Sequence, residues 1–372
     1  MEDIPEDGLN GLAPVEPRRL FGTMPNANHQ NFAGFMQGAP YELAIVEFDD
    51  QGRCYHRSQM DAVAARLDAL RAAGEDVIIL VFVHGWKHDA RSDDENLCSF
   101  RRLLARTVAY EASLAPSGTV RKVLGIFVGW RGLTTYGPTD LVADTTFWGR
   151  QEAGHRVATG SPRELFGRLR HYRNSRLNRN GAPLLVIAGH SFGGMIVFSS
   201  LAQSLIEAAS DTDPQISPRF ADLVLLVNPA IEGARYLPIY DLVSRPEFAA
   251  RSPQLPLFIC AQADNDQPVG TWFPVGNFRN RLSEDYLGDL EKRCVTHAIG
   301  FIDEFRTHRL DAEDSSGPAS LDPPGVEHAN PFWVVRANRT VIDGHGGIWQ
   351  EPFEQFLASV VFRHVDATNR AQ

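Results

Sequence analysis

The stretch that decides the fold is Leu184-Leu185-Val186-Ile187-Ala188-Gly189-His190-Ser191-Phe192-Gly193-Gly194. Its first five residues are apolar and two of them are β-branched, which is typical of a buried strand. A G-x-S-x-G pattern follows, and after it apolar residues recur at helical spacing up to Ile206. The flanking glycines allow a sharp turn from strand to helix that lifts the Ser191 hydroxyl above the sheet edge. The stretch predicts a nucleophilic serine, and the alternative is a glycine-rich turn that only packs a helix on a strand.

Apolar runs alternate with helical patterns along the rest of the chain. The runs are continuous rather than alternating, which is typical of strands that are covered on both faces. Alternation of strands and helices favours a mostly parallel sheet. The predicted fold class is α/β, with a mostly parallel central sheet and helices on both faces. We predict strands at 77–83, 123–128, 184–188, 223–227 and 257–261, and helices near 59–73, 93–113, 193–209 and 350–363.

The composition shifts along the chain predict one large domain with appended segments. Residues 1–40 are rich in Pro, Gly and Asn and predict an extended or partly disordered arm, and 41–368 predict a single α/β domain. Residues 43–56 predict a hairpin with a turn at 49–52. The stretch 131–170 has no strong period and is a candidate lid, and 311–327 predict a surface loop.

Composition and charge disfavour several kinds of partner and site. The net charge of -10 disfavours a nucleic acid partner or an anionic membrane surface. The four cysteines lie far apart with no C-x-x-C pair, which disfavours disulfides and zinc. The acidic start of the chain lacks the features of a signal peptide, and no run approaches a membrane span. We therefore expect a cytoplasmic protein with no integral membrane segment.

A serine that transfers acyl groups needs a base, a group that orients the base, and donors for the oxyanion. These groups must meet at the carboxyl ends of parallel strands. His84-Gly85-Trp86 ends the predicted strand at 77–83, so we predict the backbone N–H groups of Trp86 and Phe192 as oxyanion donors. The alternative is a strand-ending turn with a buried histidine. A metal site at His84 and His88 is disfavoured because Gly85 lies in a turn rather than a helix.

The acid should follow a later strand, and two carboxylates compete just after the run that ends at Ala263. Asp266 lies further from the strand end and has room to reach the base, whereas Asp264 could cap the turn through its own backbone. Local geometry does not separate the two. Glu232, after the preceding strand, is a third and weaker candidate.

The base is predicted at His345, which lies in a glycine-rich loop just before the final helix. Three other histidines fit less well: His297 lies in an apolar stretch and is expected in the core, His308 lies in a polar stretch that favours a helix, and His328 follows the predicted surface loop. The chain order of serine, acid and histidine is that of α/β-hydrolases and differs from that of the chymotrypsin and subtilisin types.

On these residues the chain resembles an α/β-hydrolase-fold serine hydrolase of the esterase/lipase type, over residues 41–365. The nucleophile turn of that family matches 189–193, its oxyanion turn matches 84–86, and its histidine loop matches 343–346. In similar hydrolases the acid precedes a Phe-Pro pair by seven residues, so Phe273-Pro274 points to Asp266. The chain departs from the family in its long amino-terminal arm, in lacking an H-G-G-G motif, and in the long stretch between the acid and the histidine.

Several large aromatic side chains fall on loops at the predicted catalytic edge. Such rings favour an apolar acyl or aromatic pocket, although tryptophans that fill the core of a large domain are the alternative. The residues expected to line the pocket are His84, Gly85, Trp130, Trp148, His190, Trp272 and Trp349.

The resemblance implies hydrolysis of a small carboxylic ester by Ser191, His345 and Asp266 through an acyl-enzyme, with no cofactor and no metal. One alternative is an acyltransferase or thioesterase that uses the same three residues. Another is a non-catalytic binding protein built on a hydrolase scaffold.

Overall fold

The structure is a computed structural model. It describes residues 41–85, 88–91, 93–114, 120–130, 152–175, 183–211, 220–267, 269–270, 286 and 288–370. The predicted arm and residues 131–151 of the candidate lid lie outside this part. The chain divides into two compact units, one formed by the described residues of Met1–Ile187 and His364–Gln372 and the other by those of Ala188–Arg363. The single domain predicted over 41–368 stays a prediction.

Continuous apolar runs in the sequence form most of the strands. The strands are β1 (Tyr41–Phe48), β2 (Val77–Val83), β3 (Lys122–Trp130), β4 (Leu184–His190), β5 (Leu223–Val227), β6 (Phe258–Ala263), β7 (His308–Asp311), β8 (Ser320–Asp322) and β9 (Phe332–Ala337).

In the first unit the strands are hydrogen-bonded in the order β1-β3-β2-β4. β3 pairs in parallel with β1 and with β2, with Tyr41 opposite Val123 and Val77 opposite Lys122. Every residue of β1 and β2 is buried, so both faces of these strands are covered.

The boundary between the units falls within β4, after Ile187, and in the second unit the order is β4-β5-β6-β9-β7-β8. β6 pairs in parallel with β5 and β9, β7 pairs in parallel with β9, and β8 pairs antiparallel with β7. Every residue of β5 and β6 is buried. The predicted α/β fold class, with a mostly parallel sheet flanked by helices, is confirmed. Because β5, β6, β9 and β7 run parallel, their carboxyl ends share one edge, and this edge carries the residues described below.

Apart from the last helix, which follows β9, the helices fall between successive strands along the chain. α1 shows why: its buried residues Met60, Val63, Leu67 and Leu70 recur every three or four positions and form one apolar face. The helices are α1 (Arg57–Ala72), α2 (Glu95–Leu114), α3 (Pro162–Asn174), α4 (Phe192–Ser210), α5 (Gly233–Val243), α6 (Pro246–Ala249), α7 (Asp289–Thr296) and α8 (Glu351–Arg370).

The structure differs from the sequence-based expectations in its short or polar elements. The predicted hairpin over 43–56 is reduced to an isolated antiparallel bridge from Phe48 to Cys54, because the returning segment is short and α1 begins at Arg57. The polar stretch at His308 is a strand rather than a helix, since His308 and Leu310 are buried and the residues between and after them are partly exposed. The predicted surface loop at 311–327 is largely exposed and contains β8.

Within the described residues, α4 is long and apolar enough to cross a membrane by length and composition alone, with a mean hydropathy of 1.3. However, 61% of that window is buried inside the protein, as in a core helix.

Candidate active site

Ser191 lies at the junction between β4 and α4, in a backbone conformation that few residues adopt. Its φ is 56° and its ψ is -122°, outside the regions favoured by side chains other than glycine. The surrounding main chain holds this turn, because the Ser191 N–H donates to Val227 O (3.0 Å) and the Ala230 N–H donates to Ser191 O (3.3 Å). The end of β5 therefore fixes the position of the serine.

Glycine at position 189 is required by a close backbone approach. A Cβ atom there would lie 2.5 Å from Gly193 O and 2.7 Å from Gly194 N. No neighbouring side chain can move to relieve this overlap, because the atoms in the way are main chain. The first glycine of the G-x-S-x-G pattern is thus explained by packing between the end of β4 and the first turn of α4.

The structure brings Ser191, His345 and Asp266 into one hydrogen-bonded chain. The Ser191 hydroxyl donates to His345 Nε2 at 2.7 Å. His345 Nδ1 lies 3.0 Å from Asp266 Oδ2 and 3.1 Å from Oδ1. We assign the ring proton to Nδ1, which then donates to this carboxylate. The base can therefore take the serine proton at one nitrogen while the other stays bound to the acid.

The Asp266 side chain is fully buried, whereas the His345 side chain is 16% exposed. A buried carboxylate needs hydrogen-bond donors in place of water. Besides His345, the carboxylate accepts from Gln262 Nε2 at 2.8 Å and from the Val269 N–H at 3.2 Å. These donors take the place of water around the carboxylate, next to the ring of His345.

The other two candidate acids, Asp264 and Glu232, form ion pairs with arginines. Asp264 Oδ2 accepts from Arg309 Nη2 at 3.2 Å, and its Oδ1 lies 3.7 Å from Arg336 Nη1. Glu232 accepts from Arg235 Nε at 3.0 Å. Only Asp266 among these three is hydrogen-bonded to His345 in the described part of the chain.

The other candidate histidines are also engaged elsewhere. His297 is half-buried rather than in the core, and its Nδ1 lies 2.7 Å from Thr296 Oγ1. The His308 and His328 rings pack on Trp333, with centroids 4.2 Å and 5.2 Å from it.

Phe192, one of the two predicted oxyanion donors, is the first residue of α4 and is buried. Its N–H belongs to the first turn of the helix, where the helix dipole is positive and favours an anion. Trp86, Trp148 and Trp272 lie outside the described residues, as does Phe273-Pro274.

Within the first unit, His84, Gly85 and Trp130 form a buried cluster at the ends of β2 and β3. The Trp130 N–H donates to His84 Nε2 (3.1 Å), and Trp130 Nε1 donates to His84 O (2.8 Å). His84 Nδ1 lies 2.9 Å from Gly85 O and must carry the ring proton. Burial lowers the pKa of His84, so the imidazole is neutral. These contacts join the two strand ends.

His190 and Trp349 lie in the second unit near the base. His190 Nε2 donates to the carbonyl of His345 at 2.8 Å, and the two rings lie 5.0 Å apart. Trp349 is half-buried and follows His345 by four residues. The structure thus places His190 against the main chain of the base.

Three polar residues of this edge are absent from the sequence-based predictions. Asn228 directly follows β5, Gln262 lies within β6, and Asn265 lies between the two candidate acids. Asn265 Oδ1 accepts from the Gly344 N–H at 2.8 Å. Asn265, the neighbour of Asp266, thus binds the loop that carries His345. The signal that could have found them is a polar side chain at the carboxyl end of an apolar strand.

Among the described residues no group of three or more His, Cys, Asp or Glu side chains is arranged to hold a metal ion.

Comparison of the chain with protein-family models, with curated proteins and with solved structures found no match.

Proposed function

We propose that the protein is a serine hydrolase that cleaves small carboxylic esters, of the α/β-hydrolase esterase/lipase type. One observation carries the proposal: His345 bonds the Ser191 hydroxyl through Nε2 at 2.7 Å and the buried Asp266 through Nδ1 at 3.0 Å. A serine, a histidine and a buried carboxylate joined in this order are the arrangement that activates a serine nucleophile. The parallel sheet and the order of the three residues in the chain are compatible with that family.

In the proposed mechanism Ser191 Oγ forms a bond to the ester carbonyl carbon while His345 takes the hydroxyl proton. Asp266 stabilises the resulting imidazolium. The bond to the leaving oxygen breaks as His345 returns the proton to it, which releases the alcohol and leaves an acyl group on Ser191. Water, deprotonated by His345, then attacks the acyl group, and the acid leaves as Ser191 regains its proton.

Negative charge develops on the carbonyl oxygen in both steps and requires donors. The Phe192 N–H, next to the nucleophile at the start of α4, is one proposed donor. The Trp86 N–H is the second donor that the sequence predicts. Loss of one such donor typically costs about 100- to 1000-fold in kcat.

A series of p-nitrophenyl esters of increasing acyl length tests the proposal. We expect hydrolysis with a burst of p-nitrophenol that equals the enzyme concentration when deacylation is slow. Ser191→Ala should abolish the burst and the turnover. Equal rates for the wild type and Ser191→Ala across the whole series would contradict the proposal. A rate that rises on addition of an acceptor alcohol would instead indicate acyl transfer.

A further inference from the structure

A buried asparagine joins the two loops that carry the proposed acid and base. The acid turn is defined here as residues 263–266 and the base loop as residues 343–347. Asn228 is fully buried at the end of β5, and its own N–H donates to Ala261 O at 2.8 Å. Its position is therefore set by the neighbouring strand.

The Asn228 side chain has all of its hydrogen-bonding capacity in use. Nδ2 donates to Gly344 O at 3.0 Å and to His345 O at 2.9 Å in the base loop. Oδ1 accepts from the Ala263 N–H at 2.9 Å in the acid turn and from Gln262 Nε2 at 3.3 Å. An amide has two donor hydrogens and two acceptor lone pairs, so no other polar side chain of this size supplies the same set.

The contacts close a ring that includes the proposed acid and base. Gln262 Nε2 bonds both Asn228 Oδ1 and Asp266 Oδ2. Asp266 bonds the ring of His345, and the carbonyl of His345 bonds Asn228 Nδ2. Asp266 and His345 are therefore linked twice, directly and through Gln262 and Asn228.

The packing around Gln262 shows that this arrangement is tight. A Cβ atom at Gly300 would lie 2.3 Å from Gln262 Cβ and 2.6 Å from its Cγ. The glycine leaves the space in which the Gln262 side chain reaches Asp266.

The backbone at Asn228 also restricts the residue type. Its φ is +46°, a left-handed conformation in which Asn, Asp and Gly are the favoured residues. Asp and Gly can therefore replace Asn228 without new backbone strain, and each removes the amide donor.

We infer that Asn228 is a positioning residue that sets the distance between Asp266 and His345 by tying the acid turn to the base loop. The inference rests on the proposed function. It deepens that proposal: Asn228 is fully buried and bonded to the acid turn and the base loop, so it acts through Asp266 and His345.

Asn228→Asp and Asn228→Gly test the inference. In Asn228→Asp a carboxylate oxygen faces the Gly344 and His345 carbonyls without a proton to donate, and in Asn228→Gly the bridge is missing. We expect kcat on p-nitrophenyl esters to fall about 100-fold in both, since misplacement by ~1 Å costs about that much. KM should change little, because the substrate is not contacted.

Asn338→Asp is the matched control. Asn338 Nδ2 also donates to a main-chain carbonyl, that of Ala312 at 2.9 Å, and its Oδ1 accepts from the Val341 N–H at 3.1 Å. This variant loses a comparable amide donor outside the ring. It should lower the unfolding midpoint while the kcat of the folded protein stays at the wild-type value.

A proton spectrum separates the inference from the proposed function. The low-field resonance of the His345 Nδ1 proton, assigned by its loss in His345→Gln, should move upfield or broaden in both Asn228 variants and stay unchanged in Asn338→Asp. Wild-type kcat together with an unchanged resonance in Asn228→Asp and Asn228→Gly would overturn the inference. A wild-type protein with no esterase activity would contradict the proposed function, and the resonance would still decide the role of Asn228.

Discussion

At the residue scale, the central feature is the choice between two carboxylates two positions apart. Asp266 is buried and bonds His345, whereas Asp264 lies at the surface and pairs with arginines. Their local sequence does not separate them, because both follow the same strand. Burial separates them: only a carboxylate removed from water and held by fixed donors keeps the imidazole in one tautomer and orientation.

We predict opposite effects on kcat for the variants Asp266→Asn and Asp264→Asn. Asp266→Asn should lower kcat on an ester substrate by about 10,000-fold, because the amide favours the wrong tautomer of His345. Asp264→Asn should retain kcat close to that of the wild type and change stability by less than about 1 kcal/mol, since exposed ion pairs contribute little. Steady-state kinetics and urea unfolding measure both. An equal loss of kcat in the two variants would argue against the assignment.

The residues of this site that stand in a recognisable local pattern can be predicted from the sequence. Ser191 is marked by its glycines and strand, and His345 by its glycine-rich loop, and the structure brings both together with Asp266. The role of Asn228 has no such signal beyond a polar side chain after an apolar strand, because its bonding partners lie 35 and 117 positions away in the chain. Such contacts depend on how strands pair, which one sequence does not specify.

At the element scale, the turn between β4 and α4 determines where the proposed nucleophile Ser191 lies. Its geometry depends on main-chain atoms of Gly189 and Gly193 in close contact. This contact orients the start of α4, so the serine and the first N–H groups of the helix move as one element.

Gly189→Ala should therefore displace Ser191 and destabilise the protein by about 1–3 kcal/mol, because a methyl group must be forced against main-chain atoms. The rate of reaction with a fluorophosphonate should fall more than stability alone explains. Gly167→Ala is the control: a Cβ there, inside α3, meets no atom within 4 Å. This change should leave the reaction rate unchanged and add ~0.5–1 kcal/mol of stability. Wild-type reactivity in Gly189→Ala would contradict this description of the turn.

The elements that sequence reasoning finds best are the buried strands. The predicted bounds of β2 and β5 match the structure, because a continuous apolar run between polar turns has few other interpretations. α5 is missed because Pro238 lies inside it, and β8 because it has three partly or fully exposed residues. Pairing with β7 stabilises β8, and this pairing is not visible in its sequence.

At the scale of the whole molecule, a buried histidine makes stability depend on pH. Burial, together with the neighbouring His328, lowers the pKa of His308 to about 3. The unfolded chain binds this proton near pH 6.5. Between these values the unfolded state holds more protons than the folded state, so stability is fully present above about pH 6.5 and falls as the pH decreases.

His308→Phe removes this titration and keeps an aromatic ring against Trp333. We expect the wild type to lose more free energy of unfolding than His308→Phe between about pH 7.5 and about pH 5. Urea unfolding at the two pH values measures the difference. The same loss in both proteins would mean that His308 does not contribute to the pH dependence.

The proposed activity depends on a reactive serine at one position, and fluorophosphonate labelling tests this most directly. The reagent phosphonylates an activated serine and loses fluoride, so intact mass and peptide mapping report both the number and the position of adducts. We predict one adduct on Ser191 in the wild type, none in Ser191→Ala, and a strongly slowed reaction in Asp266→Asn. An unlabelled wild-type protein, or equal labelling of Ser191→Ala, would contradict the proposal that Ser191 is a catalytic nucleophile.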